Sequence, residues 1–177
     1  MGCSRVWGGT FASNPYTINA RGQGPAWGSS LFEDNAEFGF GMMTSTLIKR
    51  RNLATRVQRI LKDDSIPKSK ELCASLQTWL ENPRDADKCE ACYDNCVRLL
   101  ADEKKNHKEL ALLEEVIDVM PKLTQWVIGG DGWAYDIGYG GVDHVLAQGE
   151  DINILVLDTE MYANTGGQQS KATQMSA

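Results

Sequence analysis

No stretch of this 177-residue chain is apolar for long enough to span a bilayer, and no excess of basic residues is present. The chain has 24 Asp and Glu against 18 Lys and Arg, a net charge of −6. These shortages argue against a membrane protein and against a nucleic-acid-binding protein. The N-terminus also lacks the basic and apolar segments of a secretory signal. An odd number of cysteines, five, suits a reducing cytoplasm better than a disulfide framework.

Glycine is absent from residues 42–128, although the chain contains 17 glycines. The same middle segment has 15 basic and 14 acidic side chains, whereas the flanks have 3 and 10. This division predicts one α/β domain in three parts: a glycine-rich N-terminal segment (1–41), a helical insert (42–122) and a βαβ unit (123–177).

Helical periodicity and capping signals predict four helices in the middle of the chain. The first begins at Ser30 or at Asn35 and ends before residues 63–67. The others cover about 69–81, about 85–102, and a segment from about His107 to Pro121 with Leu110, Leu113, Val116 and Ile117 facing inward. The basic run 49–51 is typical of a solvated helix face. Four tryptophans are expected in the core: Trp7, Trp27, Trp79 and Trp126.

Two short apolar runs, 126–128 and 152–157, flank a predicted helix over about 135–148 that Gly149 closes. A right-handed βαβ connection makes the two strands parallel, so the loops after both strands emerge at one edge of the sheet. Asp131 follows the first strand and Thr159 follows the second. We therefore expect a carboxylate and a hydroxyl to converge at this edge.

Mg²⁺ prefers oxygen ligands, and Asp131, Thr159 and the carbonyl of Met161 supply three. The glycines on either side of Asp131 leave room for a phosphate near the backbone, and the following helix directs its positive end toward an anion. The alternative is that Asp131 only caps a tight turn, as aspartate between glycines often does. The glycine-rich segment 162–168 favours a magnesium diphosphate site.

Two segments carry a family resemblance beyond this chemistry. Residues 130–138 read GDGWAYDIG and residues 158–168 read DTEMYANTGGQ. They resemble the thiamine-diphosphate half of pyruvate:ferredoxin (or flavodoxin) oxidoreductases. Three N-terminal segments resemble the same family: NPYT at 14–17, GQGPAW at 22–27 and SLFEDNAEFGFGM at 30–42. The resemblance covers about residues 2–42 and 123–174.

The resemblance implies a thiamine-diphosphate-binding fold and an enzyme that decarboxylates pyruvate oxidatively with CoA. Electrons pass through 4Fe–4S clusters to ferredoxin or flavodoxin. The family also implies a homodimer, a cytoplasmic location or a hydrogenosome-like organelle, and partner domains that this chain lacks. The sequence resembles a fragment at both ends, so we expect it to be inactive alone. Two alternatives stay open: a relative acting on another 2-oxo acid, and a non-catalytic module that binds magnesium thiamine diphosphate.

The resemblance also implies roles for particular residues. The diphosphate is held by Gly130, Asp131, Gly132 and Trp133. The Mg²⁺ ligands are Asp131, Thr159 and the Met161 carbonyl. The cofactor is lined by Thr159, Glu160, Met161, Tyr162, Ala163 and Asn164, and the Asn164 amide faces the reacting carbon, where it stabilises an oxyanion.

The cysteines divide into two groups. The resemblance places Cys3 where the family has one of the four thiolates that hold a 4Fe–4S cluster, and we expect the other three ligands to lie outside this chain. Cys89, Cys92 and Cys96 have a spacing that suits a metal, with Cys73 as a fourth ligand. The favoured interpretation of these helical cysteines is that they pack as small apolar side chains in a bundle core.

Overall fold

The computed structural model describes Ile18, Gly22 and residues 24–175. The chain forms two compact units, one from residues 1–43 with 124–177 and the other from residues 44–123. Cys3, Trp7 and the segment 14–17 lie outside the described residues. Within those residues, no helix is both long and apolar enough to cross a membrane.

The helices agree closely with the periodicity of the sequence. They are α1 (Asn35–Lys62), α2 (Lys70–Glu81), α3 (Ala86–Glu103) and α4 (Lys108–Glu114), followed by a 3₁₀ turn, Ile117–Val119. Helix α1 starts at Asn35, the later of the two predicted positions. Ser69, Asp85 and His107 cap the other three helices, each accepting a backbone N–H. The predicted starts, and the ends of α1, α2 and α3, are thus confirmed to within a residue or two, whereas α4 ends at Glu114, well before the predicted end at Pro121.

Leucine, isoleucine and cysteine side chains fill the core of the helical unit. Leu72, Leu76, Leu110, Leu113 and Ile117 are buried, as the helical pattern predicts. Val116 is an exception, because it is 37% exposed and not inward-facing. It lies where α4 has ended and the backbone turns toward the 3₁₀ segment, so the 3.6-residue period no longer applies.

The expectation that the basic run 49–51 is a solvated helix face is wrong for Arg50. Its Nη1 lies 2.6 to 2.8 Å from the carbonyl oxygens of Val119, Met120 and Pro121, and its Nη2 lies 2.8 Å from that of Pro83. The guanidinium also stacks 5.5 Å from the ring centroid of Trp79. The neighbours Lys49 and Arg51 are exposed, as expected.

Three cysteines of α3, Cys89, Cys92 and Cys96, face the core of the helical unit. This confirms their interpretation as apolar packing residues. Within residues 24–175, no group of three or more His, Cys, Asp or Glu is arranged to hold a metal ion. Burial, followed by the charge of nearby Cys92, raises the pKa of the Cys96 thiol to about 12.

We expect these three thiols to resist modification in the folded chain, because all three are buried away from the reagent. At Cys92 and Cys96 burial also raises the pKa and so disfavours the thiolate, which is the reactive form. In a Cys3→Ser background, a colorimetric thiol reagent at pH 8 should label half-buried Cys73 first. Cys89, Cys92 and Cys96 should react only after urea unfolds the chain. Rapid labelling of Cys96 in the native chain would show that the α3 face is not packed as described.

The other unit contains the predicted parallel pair. Strands β1 (Gln125–Gly130) and β2 (Ile152–Leu157) pair in parallel, with Gln125 opposite Ile152 and Gly130 opposite Leu157. Helix α5 (Tyr139–Ala147) lies between them in the chain. A short antiparallel pair follows, β3 (Met161–Tyr162) with β4 (Gln168–Gln169). The described residues therefore confirm an α/β architecture with a parallel sheet and helices.

The helix predicted over 135–148 is divided. A π-helical turn, Gly132–Ile137, comes first, and α5 begins after Gly138. The Gly138 N–H donates to the carbonyl of Trp133 at 2.8 Å, and a Cβ on Gly138 would lie 2.3 Å from the Trp133 ring. The indole thus occupies the space that a side chain at 138 would need. Gly149, at φ +64°, ends the helical segment as predicted.

Not all of the tryptophan predictions hold. Trp79 is buried, as expected, and Trp27 is half-buried. Trp126 is 53% exposed, which corrects its predicted place in the core. It alternates along β1 with Val127, which points to the opposite face and packs with Ala36, Trp133, Ala134 and Val145.

Candidate functional site

The candidate site lies where the two parallel strands end. Because Gly130 pairs with Leu157, the residues that follow each strand emerge side by side. Asp131 comes directly after β1, and Thr159 is the second residue after β2. The predicted convergence is confirmed: the backbone N–H of Thr159 donates to Oδ1 of Asp131 at 3.2 Å, across 28 positions of sequence.

Asp131 is a fully buried carboxylate, at 0% exposure. Its Oδ1 accepts hydrogen bonds from Thr159, and its Oδ2 accepts one from the Ser170 hydroxyl. Burial raises the pKa of Asp131, but the hydrogen bonds from Ser170 and Thr159 outweigh it, so the pKa lies below its usual value. The group is therefore ionised at neutral pH and has the charge that a cation site requires.

The Thr159 hydroxyl lies close to two other oxygen atoms. Its Oγ1 lies 3.1 Å from Oδ1 of Asp131 and 3.1 Å from the carbonyl oxygen of Met161. A hydroxyl has one hydrogen, so it fully satisfies only one of these two acceptors. Ligands at neighbouring corners of an octahedral Mg²⁺ shell are about 3 Å apart, given metal–oxygen distances of about 2.1 Å. The observed spacing fits such a shell.

A tight turn returns the Met161 carbonyl to Thr159. Asp158 Oδ1 accepts the N–H of Glu160 at 3.0 Å, and Glu160 adopts the left-handed conformation with φ +59°. That conformation costs a non-glycine residue about 1 kcal/mol or more. Strained backbone of this kind persists where surrounding contacts hold it, often at ligand sites. Sequence reasoning placed Glu160 at the site but did not predict its conformation.

Tyr162 packs directly over Gly132. A Cβ on Gly132 would lie 2.4 Å from the Tyr162 ring, and the Tyr162 hydroxyl donates to the Gly132 carbonyl at 3.2 Å. The phenol ring therefore occupies the space that a side chain at residue 132 would need, which is a reason for glycine here besides room for a phosphate. Burial, followed by the charge of Asp136, raises the pKa of Tyr162.

The other predicted site residues are placed as follows. Trp133 is 2% exposed and packs between Gly129 and Gly138, so its side chain belongs to the core of this unit. Ala163 and Asn164 lie in a 3₁₀ turn, Ala163–Thr165, and the Asn164 side chain is outside the described part of the chain. Cys3 also lies outside it.

Sequence reasoning missed Ser170, which donates to Asp131 across 39 positions. No motif or periodicity connects these two residues, so the contact had no signal in the sequence. The neighbouring backbone is attached to the same unit, since the N–H of Lys171 donates to Oδ2 of Asp136 at 3.1 Å.

The fold and site together define a class: an α/β unit with a buried carboxylate and further oxygen ligands at the carboxyl edge of a parallel sheet. Comparison with known proteins identifies the class more closely. Pyruvate:ferredoxin oxidoreductase of Moorella thermoacetica is 49% identical over 181 residues, and pyruvate-flavodoxin oxidoreductase of Klebsiella pneumoniae is 48% identical over 176. The mitochondrial NADP(+)-dependent pyruvate dehydrogenase of Euglena gracilis is 47% identical over 176.

Each match covers 99% of this chain, and the chain spans 10 to 15% of the length of these relatives. No protein-family model matches the chain. The resemblance seen in the two glycine-rich segments is therefore confirmed and extends through the helical insert. The chain is similar, along almost its whole length, to one segment of pyruvate:ferredoxin and pyruvate-flavodoxin oxidoreductases.

Proposed function

We propose that this chain carries the magnesium and diphosphate site of a thiamine-diphosphate-dependent pyruvate oxidoreductase. In this proposal Asp131, Thr159 and the Met161 carbonyl bind Mg²⁺ in a thiamine-diphosphate-binding fold. The single observation that carries the proposal is that the Thr159 hydroxyl lies 3.1 Å from both Oδ1 of Asp131 and the carbonyl oxygen of Met161. The identity to pyruvate oxidoreductases supports it independently.

Local charge supports a cation between protein and diphosphate. Asp131, Asp158 and Glu160 all lie at or next to the carboxyl edge of the sheet. An anionic diphosphate placed against these carboxylates would be repelled, whereas a divalent cation is attracted to both. The low pKa of Asp131 keeps its negative charge available to the metal at neutral pH.

The chain's residues act in this proposal by binding and orienting. Asp131 and Thr159 hold the cation, and the backbone from Gly130 to Trp133 lies against the diphosphate. The bound cofactor supplies the chemistry that breaks the carbon–carbon bond of a 2-oxo acid. With the cofactor bound, the Asn164 amide would be the residue that stabilises negative charge near the reacting carbon, a role that rests on the family resemblance.

For the whole enzyme we propose oxidative decarboxylation of pyruvate with CoA to acetyl-CoA and CO₂, with electrons passing through 4Fe–4S clusters to ferredoxin or flavodoxin. Cys3 is then one cluster ligand. The names of the relatives support pyruvate as substrate and ferredoxin or flavodoxin as acceptor. CoA, the clusters and a homodimer rest on the family resemblance.

Titration calorimetry of thiamine diphosphate into the purified chain tests the site directly. Binding is expected in the presence of Mg²⁺ and should be lost when EDTA removes the metal. Binding that is equal with and without Mg²⁺, or no binding at all, would contradict a magnesium diphosphate site in this chain.

A further inference from the structure

We propose that Ser170 is a positioning residue of the cation site. Its hydroxyl holds Oδ2 of Asp131, so that Oδ1 alone faces the metal and the carboxylate binds through one oxygen. The inference rests on the proposed function of Asp131 as a Mg²⁺ ligand. Ser170 acts through Asp131 and needs no contact with the cation itself.

The direction of each hydrogen bond around Ser170 is determined by its neighbours. The N–H of Ala172 donates to Ser170 Oγ at 3.2 Å, so that oxygen is an acceptor on one side. Its own hydrogen is then directed at Oδ2 of Asp131, which has only acceptor atoms when ionised. A hydrogen bond to a charged partner is stronger than a neutral one, so this contact holds the carboxylate firmly.

The two oxygens of Asp131 therefore have separate partners. Oδ2 is held by Ser170, whereas Oδ1 is held by the N–H of Thr159 and lies beside the Thr159 hydroxyl. Rotation of the carboxylate, which would present both oxygens to one cation, breaks the contact with Ser170. The arrangement favours single-oxygen binding, which suits the octahedral shell of Mg²⁺.

The same short segment also supports the other half of the site. The N–H of Ser170 donates to Thr173 Oγ1 at 2.9 Å, and the Thr173 hydroxyl donates to the carbonyl of Glu160. Glu160 is the residue in the left-handed conformation immediately before Met161. Residues 170–173 thus connect Asp131 on one side with the turn that presents the Met161 carbonyl on the other.

Cation selectivity distinguishes this role from a general effect on folding. Ca²⁺ is larger than Mg²⁺, takes about six to eight oxygen ligands and readily binds both oxygens of one carboxylate. If Ser170 enforces single-oxygen binding, its loss should weaken the binding of Mg²⁺ much more than the binding of Ca²⁺. A change that merely loosens the structure should weaken the binding of both cations to the same extent.

The experiment measures thiamine diphosphate binding to the purified chain by titration calorimetry, at increasing Mg²⁺ and separately at increasing Ca²⁺. In Ser170→Ala, the Mg²⁺ concentration for half-maximal binding should rise about tenfold, the usual loss when a group that orients a ligand is removed. The Ca²⁺ concentration should change much less. Ser170→Thr keeps the hydroxyl and should restore the original ratio of the two concentrations.

Two further variants make the result specific. Ser29→Ala removes an exposed hydroxyl of the same unit and should change neither concentration. Thr173→Val keeps the Ser170 hydroxyl but removes the acceptor of the Ser170 N–H and the donor to the Glu160 carbonyl, so it should loosen the segment and weaken the binding of Mg²⁺ and Ca²⁺ alike. Far-ultraviolet circular dichroism checks that each variant is folded.

The outcomes separate this inference from the proposed function. If wild-type binding requires Mg²⁺ but Ser170→Ala keeps the original Mg²⁺ to Ca²⁺ ratio, the positioning role is overturned and the metal site stands. If wild-type binding does not depend on a metal, the proposed function itself fails. A selective loss of Mg²⁺ binding in Ser170→Ala supports both.

Discussion

Asp131→Asn is expected to abolish magnesium-dependent binding of thiamine diphosphate by this chain. The substitution keeps the size of the side chain but removes the charge from a fully buried position at the edge of the sheet. A neutral amide is a poor Mg²⁺ ligand, and its NH₂ group would face donors on Thr159 or Ser170. Removal of a group that orients a metal ligand costs roughly 10- to 100-fold in metal affinity, so loss of a direct ligand should cost about 100-fold or more.

Titration calorimetry at a fixed Mg²⁺ concentration provides the measurement. Asp143→Asn is the matched control, because it makes the same chemical change at an exposed position on α5. The control should bind as the wild type does. If Asp131→Asn also binds thiamine diphosphate with unchanged affinity and unchanged Mg²⁺ dependence, Asp131 is not a metal ligand, and the interpretation of a turn cap becomes the better one.

Arg50→Met should destabilise the helical unit by about 3 kcal/mol, because it removes several charge-assisted hydrogen bonds, three of them to partly buried carbonyls. The guanidinium donates hydrogen bonds to four backbone carbonyls, those of Pro83, Val119, Met120 and Pro121. Methionine fills much of the same volume and stays against Trp79, so the loss is mainly that of hydrogen bonds.

Urea unfolding followed by circular dichroism at 222 nm measures this effect. Arg51→Met, at the next position of α1, is the matched control, because Arg51 is exposed. It should change the free energy of unfolding by less than about 0.5 kcal/mol, as surface substitutions usually do. Arg50→Lys should recover only part of the stability, since a lysine ammonium cannot span carbonyls that a planar guanidinium reaches. Equal stability of the Arg50→Met and Arg51→Met variants would contradict the structural role of Arg50.

Much of the candidate site was predictable because it follows from a topological rule. Parallel strands place their carboxyl ends at one edge, so Asp131 and Thr159 were expected to meet there, and they do. Met161 was expected in the same set, and its carbonyl lies beside Thr159. Their role as Mg²⁺ ligands stays a prediction until binding is measured.

Other parts of the site had no local signal. Ser170 and Tyr162 contact Asp131 and Gly132 across 39 and 30 positions, respectively. Gly132 was interpreted as space for a phosphate, and the structure adds that the phenol ring of Tyr162 lies where a side chain at this position would be. A sequence shows that a side chain is absent at a glycine, but the group that approaches it depends on how distant segments fold back.

The sequence by itself determined the local structure: helix starts at capping residues, the two parallel strands and the αL glycine that ends the helix between them. These features depend on residues within one or two turns of each other, so composition and spacing reveal them. Only the tertiary structure decided that Arg50 is a hydrogen-bonding centre, that Trp126 is exposed and that Ser170 holds Asp131. The physical reason is that these contacts join segments distant in the sequence, and a side chain's partner is settled only when both backbones are in place.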